Sequence, residues 1–145
     1  ARKVIVFLLS FGAFAASASI TDDVEVTTNA AASTPQGKPG YLFADCTVQG
    51  NSPAGSVYLG RPWRPYAATA FINCEFGNHI RPEGWHNWKN PENEKTARYA
   101  EFGNTGEGAK TEGRVAWAEQ LTKKEVLKYT PENIFKEDSN WYPYK

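Results

Sequence analysis

The sequence predicts an all-β solenoid of stacked coils with a short C-terminal helical cap. Three observations predict it. Tyr41-Leu42-Phe43-Ala44-Asp45-Cys46-Thr47-Val48 and Thr69-Ala70-Phe71-Ile72-Asn73-Cys74-Glu75-Phe76 both read as strands, and they align on their cysteines at an offset of 28. Glu75-Phe76-Gly77-Asn78 recurs as Glu101-Phe102-Gly103-Asn104 at an offset of 26. These units are rich in strand formers, bounded by Gly and Asn, and free of helical periodicity. A repeat of this length means stacked coils, because one coil cannot bury its apolar side alone and a stack shares a continuous core.

The chain has 145 residues, enough for one domain with a real core. It is 41% hydrophobic, 14% aromatic and 22% charged, the balance of a globular chain. Sixteen basic and sixteen acidic residues cancel. With no basic run either, nothing supports a nucleic-acid partner. Five Trp and seven Tyr leave two readings, core packing or the flat rings of a sugar-binding cleft. Cys46 and Cys74 are too few for a disulfide scaffold and match no zinc spacing. His79 and His86 lie in a loop rich in Pro, Gly and Trp, a poor geometry for a ligand pair, so neither metal nor cofactor is expected.

Residues 1–19 form the first element. Arg2 and Lys3 precede an apolar stretch from Val4 to Ala15, and Ala16-Ser17-Ala18-Ser19 closes it. This is the pattern of a secretory signal, too short to span a membrane comfortably. A buried pair of strands is the alternative. With the signal removed, the mature protein is secreted, extracellular or periplasmic, with no membrane partner. Residues 20–145 form the domain. Val24 and Val26 alternate with Asp23 and Glu25 as a short strand, and turn signals fill the stretch to Gly40. In the stack Cys46 and Cys74 occupy equivalent places on adjacent coils. They form either an interior stack of thiols or, at a strand spacing of about 4.8 Å, a disulfide. Thr122-Lys123-Lys124-Glu125 is a capping box with Leu121 as its staple. Thr130-Pro131-Glu132 starts a second helical turn, in which Ile134 and Phe135 would pack. Such turns cover a solenoid end and hide its strand edge.

Tyr58-Leu59-Gly60-Arg61-Pro62-Trp63 carries the chemistry. Val57-Tyr58-Leu59 supplies a strand, and Gly60 allows a turn or a close approach. Pro62 fixes the chain and holds Arg61 extended, so the guanidinium is presented in a defined direction. Arginine binds a carboxylate at two points and Trp63 offers a flat ring, a pair suited to an acidic sugar. The same residues would also suit a surface ion pair beside a core Trp.

Leu59-Gly60-Arg61-Pro62-Trp63 resembles the signature of the pectin methylesterase family, carbohydrate esterases that cleave methyl esters of polygalacturonate. Thr69 to Cys74 follow it as in bacterial members. His79-Ile80-Arg81-Pro82-Glu83-Gly84-Trp85-His86-Asn87-Trp88 and Asn90-Pro91-Glu92-Asn93 are similar to the family too. So are Tyr99-Ala100-Glu101-Phe102, Asn104-Thr105-Gly106, Gly113-Arg114-Val115 and Ala31-Ala32-Ser33-Thr34-Pro35. The resemblance covers roughly residues 30–135, the C-terminal part of such an enzyme. It implies a right-handed parallel β-helix, truncated here, with pectin as the partner. The implied mechanism uses an Asp nucleophile, a second Asp as acid then base, and Gln amides for the oxyanion. Arg61 matches the arginine that holds the nucleophile, and Trp63 matches a substrate-contacting Trp. Trp85 is a further candidate cleft aromatic.

The family's Gln-Asp and Asp-Phe-Ile-Phe-Gly strings precede the Ser33-Thr34-Pro35 region in other members and are not found in this sequence. Asp22, Asp23 and Asp45 sit in no family motif and are read as turn and surface residues. Three expectations follow: a pectinesterase by descent that lacks its nucleophile-bearing part, a non-catalytic secreted pectin-binding module, or a structural remnant. A truncated solenoid exposes an apolar end, a route to self-association. Residues 1–19, if retained, are placed to cover that end.

Overall fold

The computed structural model describes residues 5–9, 13–17 and 40–134. Asp22, Asp23, Val24, Val26, the Ala31-to-Pro35 string and Phe135 lie outside the described residues. The largest sheet contains β1 (Ile5–Leu9), β2 (Ala13–Ser17), β3 (Tyr41–Ala44), β5 (Ala68–Ile72), β7 (Arg98–Phe102) and β8 (Glu119–Gln120), in the order β2-β1-β3-β5-β7-β8. From β3 to β8 every pairing is parallel, one strand per coil. A second line pairs β4 (Thr47–Val48) with β6 (Glu75–Phe76) and continues as a bridge from Glu75 to Thr105. A third consists of single bridges, Val57 to Ile80 and Gly60 to Trp85. Three parallel lines around one core make a right-handed parallel β-helix, the hand that parallel crossovers take in nearly all sheets. Ahead of it, β1 and β2 form an antiparallel hairpin, and β1 runs antiparallel to β3.

Alternation along the strands sorts the side chains. Phe43, Phe71 and Tyr99 point into the coil with Cys46, Cys74, Val48, Phe76, Ile80 and Trp85. Phe43 and Phe71 stack with centroids 4.6 Å apart, and Trp85 stacks on Tyr99 at 4.3 Å. Each fully buried ring contributes roughly 1.5–3 kcal/mol of transfer free energy. Both thiols are buried and not joined in a disulfide. Cys46 Sγ donates to the Ala44 carbonyl at 3.3 Å, and Cys74 Sγ to that of Phe43 at 3.4 Å. The adjacent Cys46 thiol and burial hold the Cys74 thiol far above its usual range. This is the interior thiol stack, not the disulfide.

Four expectations need correction. Each of the two cysteine-bearing strands is two strands, broken at a corner by Asp45 (φ 55°) or Asn73 (φ 53°), with Gly103 (φ 64°) at the equivalent corner of the next coil. These are the residue types that enter the left-handed region at least cost. Second, Phe71 faces Glu101 and Ile72 faces Phe102, so the Glu-Phe-Gly-Asn match is not a structural repeat. Only the cysteine alignment is in register, with Phe43 opposite Phe71. Third, Val57-Tyr58-Leu59 contributes one bridge residue and no strand.

The fourth concerns the helical segment, a 3₁₀ turn at Glu125–Tyr129 and α1 (Pro131–Ile134). Leu121, Val126, Tyr129 and Ile134 pack on Leu42, Ala70, Ile72 and Ala100, the outward residues of β3, β5 and β7. The segment is present, but it straps the outer face of three coils and does not plug an end. The sheet alternates apolar residues on both faces, so its outer face needs a cover as much as its edge does. The capping box forms: Thr122 N–H and Oγ1 donate to Glu125 Oε2 at 2.8 and 2.7 Å. Thr122→Ala is expected to lower stability by about 1 kcal/mol, measured as an earlier urea midpoint. An unchanged midpoint would count against the strap.

Candidate functional site

The two bridges of the third line bring Leu59-Gly60-Arg61-Pro62-Trp63 alongside Gly84-Trp85-His86-Asn87-Trp88 of the next coil. Leu59 N–H donates to the Gly84 carbonyl at 2.6 Å, and His86 N–H to that of Gly60 at 3.1 Å. Leu59 and Pro62 are fully buried and act as anchors. Between and beyond them Arg61 is half-buried and Trp63 is 55% exposed.

Arg61 Cζ lies 5.3 Å from the ring centroids of both Tyr58 and Trp88. Trp63 and Trp88 are 5.3 Å apart at 37°. On the other side Arg81 Cζ is 4.9 Å from the Tyr58 ring, and His86 is 4.9 Å from it. Ring faces are negative and attract guanidinium groups, so the rings help to hold both arginines, and Arg81 also pairs with Glu83, Nε to Oε2 at 3.7 Å. The result is a cationic and aromatic face.

Its backbone is strained. Tyr66, Trp88 and Lys89 have φ of 63°, 60° and 56°. Each non-glycine residue in this region costs roughly 1–2 kcal/mol. Hydrogen bonds sustain it: Asn87 Oδ1 accepts from Lys89 N–H at 2.9 Å, and Asn87 Nδ2 donates to Glu94 Oε1 at 2.7 Å. Tyr66 N–H donates to Thr96 Oγ1 at 3.1 Å.

His86 Nδ1 accepts from Trp88 N–H at 3.1 Å, which requires that nitrogen to be unprotonated. Burial, followed by the charges of Arg61, Lys89 and Arg81, lowers its pKa from 6.5. Burial also lowers that of His79, whose residue is 4% exposed. A lowered histidine pKa means the unfolded chain binds more protons just below 6.5. Its stabilising contribution is therefore full above that pH and lost as pH falls through the folded value. The melting temperature should drop from pH 7.5 to 5, and His86→Gln should flatten the drop. An equally steep fall in the variant would rule out His86 as a contributor.

Of the sequence candidates, Arg61 and Trp63 share this face. Trp85 does not. It is 1% exposed, stacked on Tyr99, with Nε1 donating to Glu101 Oε1 at 3.0 Å. Sequence reasoning missed Trp88, which is 39% exposed, together with Tyr58 and Arg81. Asp45 sits at its coil corner, exposed, with its N–H on the Ile72 carbonyl, as a turn residue does. The face can hold a carboxylate on arginine and a flat ring on indole. Arginine stays protonated and cannot serve as nucleophile or base. Among the described residues no helix is long and apolar enough to cross a membrane.

The comparisons with known proteins agree with this architecture. The carrot pectin methylesterase structure is similar with a TM-score of 0.52 and 36% identity, covering 57% of this chain and 27% of that one. A pectin methylesterase from Aspergillus niger shares the fold, with a TM-score of 0.58 at 24% identity over 71% of this chain and 33% of its own. Pectinesterase QRT1 of Arabidopsis thaliana is 39% identical over 87 residues, 60% of this chain and 22% of that protein. The chain therefore spans between about a sixth and a third of the length of the relatives it matches. The family model described as Pectinesterase matches residues 8–138, nearly the whole chain. The chain belongs to the pectinesterase family.

Proposed function

We propose that this chain supplies the substrate-gripping part of a pectinesterase, an enzyme that hydrolyses the methyl esters of polygalacturonate, and that it works outside the cytoplasm. One observation carries the reading: the arginine of the family signature is framed by rings of two coils, Tyr58 and Trp88, beside the exposed ring of Trp63. Polygalacturonate offers what such a face selects, a row of carboxylates on flat pyranose rings. With a nucleophile supplied from outside this chain, Arg61 orients its carboxylate; without one, the same guanidinium takes a carboxylate of the polymer, and in both cases the indoles hold the sugar. No carboxylate of this sequence is assigned as that nucleophile.

The same face supports a second reading, a pectin-binding module without catalysis. Methanol release from highly methylated pectin separates the two, measured for the wild-type chain and Arg61→Ala. Release that Arg61→Ala abolishes supports the esterase. Pectin binding without release supports the binding module, and absence of both would sink the reading altogether.

A further inference from the structure

We propose that Asn93 is a positioning residue, whose buried amide sets the spacing of Trp63 and Trp88 and so the grip on a galacturonate chain. The second half of this inference rests on the function proposed above. Asn93 is 3% exposed and lies in the 3₁₀ turn Pro91–Lys95, away from the exposed face. Its Nδ2 donates to the Pro62 carbonyl at 3.1 Å and to the Asn87 carbonyl at 3.3 Å. Pro62 immediately precedes Trp63, and Asn87 immediately precedes Trp88. One side-chain amide thus ties together the two backbones that carry the ring pair.

The tie has work to do. Trp88 and Lys89 are in the left-handed region, so this segment relaxes elsewhere unless it is held. Asn93 is itself fixed: its N–H donates to the Asn90 carbonyl at 3.1 Å, and its carbonyl accepts from Thr96 and Ala97 N–H at 3.2 and 2.8 Å. Both amide protons are spent on carbonyls, a pattern that neither aspartate nor alanine reproduces. An aspartate would turn a carboxylate on two carbonyl oxygens, and an alanine would leave both without this donor.

Two indoles 5.3 Å apart at 37° give an exciton couplet in far-ultraviolet circular dichroism, a signal of ring spacing that needs no ligand. The wild-type couplet should vanish in Trp63→Phe, which assigns it. Asn93→Ala and Asn93→Asp should lose most of it while keeping the β-sheet signal and a cooperative melt. Trigalacturonate should then bind about tenfold more weakly, with the loss smaller in Trp63→Phe/Asn93→Ala than the sum of the single losses. A folded Asn93 variant with the couplet intact would overturn the positioning role, because a merely structural amide changes stability and not ring spacing. No trigalacturonate binding by the wild-type protein would instead overturn the galacturonate reading. Should neither variant fold, side-chain amide exchange in the wild-type protein decides the matter. Asn93 protons exchanging more slowly than those of exposed Asn90 support the tie, and equally fast exchange overturns it.

Discussion

Glu101→Ala destabilises the protein by about 3–5 kcal/mol, the cost of leaving a buried charge without its partner. A domain of this size has about 5–15 kcal/mol in total, so much of the protein unfolds near room temperature in modest denaturant. Glu101 occupies the inward position of β7 that Phe43 and Phe71 fill on β3 and β5. Its side chain and that of Arg114 are 2% and 4% exposed, with Nε to Oε1 at 2.8 Å. Every donor of the Arg114 guanidinium is used. Nε and Nη2 donate to the two Glu101 oxygens at 2.8 and 3.2 Å, Nη1 to the Arg81 and Pro82 carbonyls at 3.3 and 2.9 Å, and Nη2 also to Gly108 at 2.6 Å. Trp85 Nε1 completes the carboxylate. Gly84 leaves room for it, since a Cβ there would lie 2.6 Å from Arg114 Cδ. Urea melts of the wild type and Glu101→Ala test the size of the effect. Glu101→Leu/Arg114→Met should recover most of the loss, because a buried pair contributes little beyond a packed apolar replacement. A Glu101→Ala midpoint close to that of the wild type would show that water reaches the pair.

Arg61→Ala and Trp88→Ala each weaken oligogalacturonate binding by about 2 kcal/mol, roughly thirtyfold. For Arg61 the loss is a charge-assisted hydrogen bond, and for Trp88 it is the anchor of an interface. Trp88→Ala also frees Arg61 from one of its two framing rings, so the losses should not add. Calorimetry on both single variants and the double variant checks this. Affinity should fall with added salt in the wild type and less steeply in Arg61→Ala, since exposed charges are screened. Additive losses, or an identical salt slope, would place the bound carboxylate away from Arg61.

Much of this was legible in the sequence. The cysteine alignment gave two coils in their true register, because Phe43 and Phe71 must stack for the core to close. The capping box announced itself through residue types whose hydrogen bonds are local. The buried ion pair was hidden by a false repeat. Matching Glu101 to Glu75 sets it against another acid, whereas its true pairing with Phe71 puts a charge in a core position. Trp85 and Trp88 could not be told apart, because only two residues separate them in a loop without a regular period. The burial of Trp85 and its stacking on Tyr99 show which indole turns inward. The strap was misplaced because an amphipathic turn reads the same whether it covers an end or a face.

The central claim is that Arg61, Trp63 and Trp88 form one galacturonate-binding face. The chain has five tryptophans, at 63, 85, 88, 117 and 141, so its indole N–H signals can be followed individually by NMR as trigalacturonate is added. The account predicts saturable shifts at Trp63 and Trp88 with Trp85 unmoved, and the same shifts needing roughly thirtyfold more ligand in Arg61→Ala. Shifts centred on Trp85 or Trp117, or none at any indole, would contradict it.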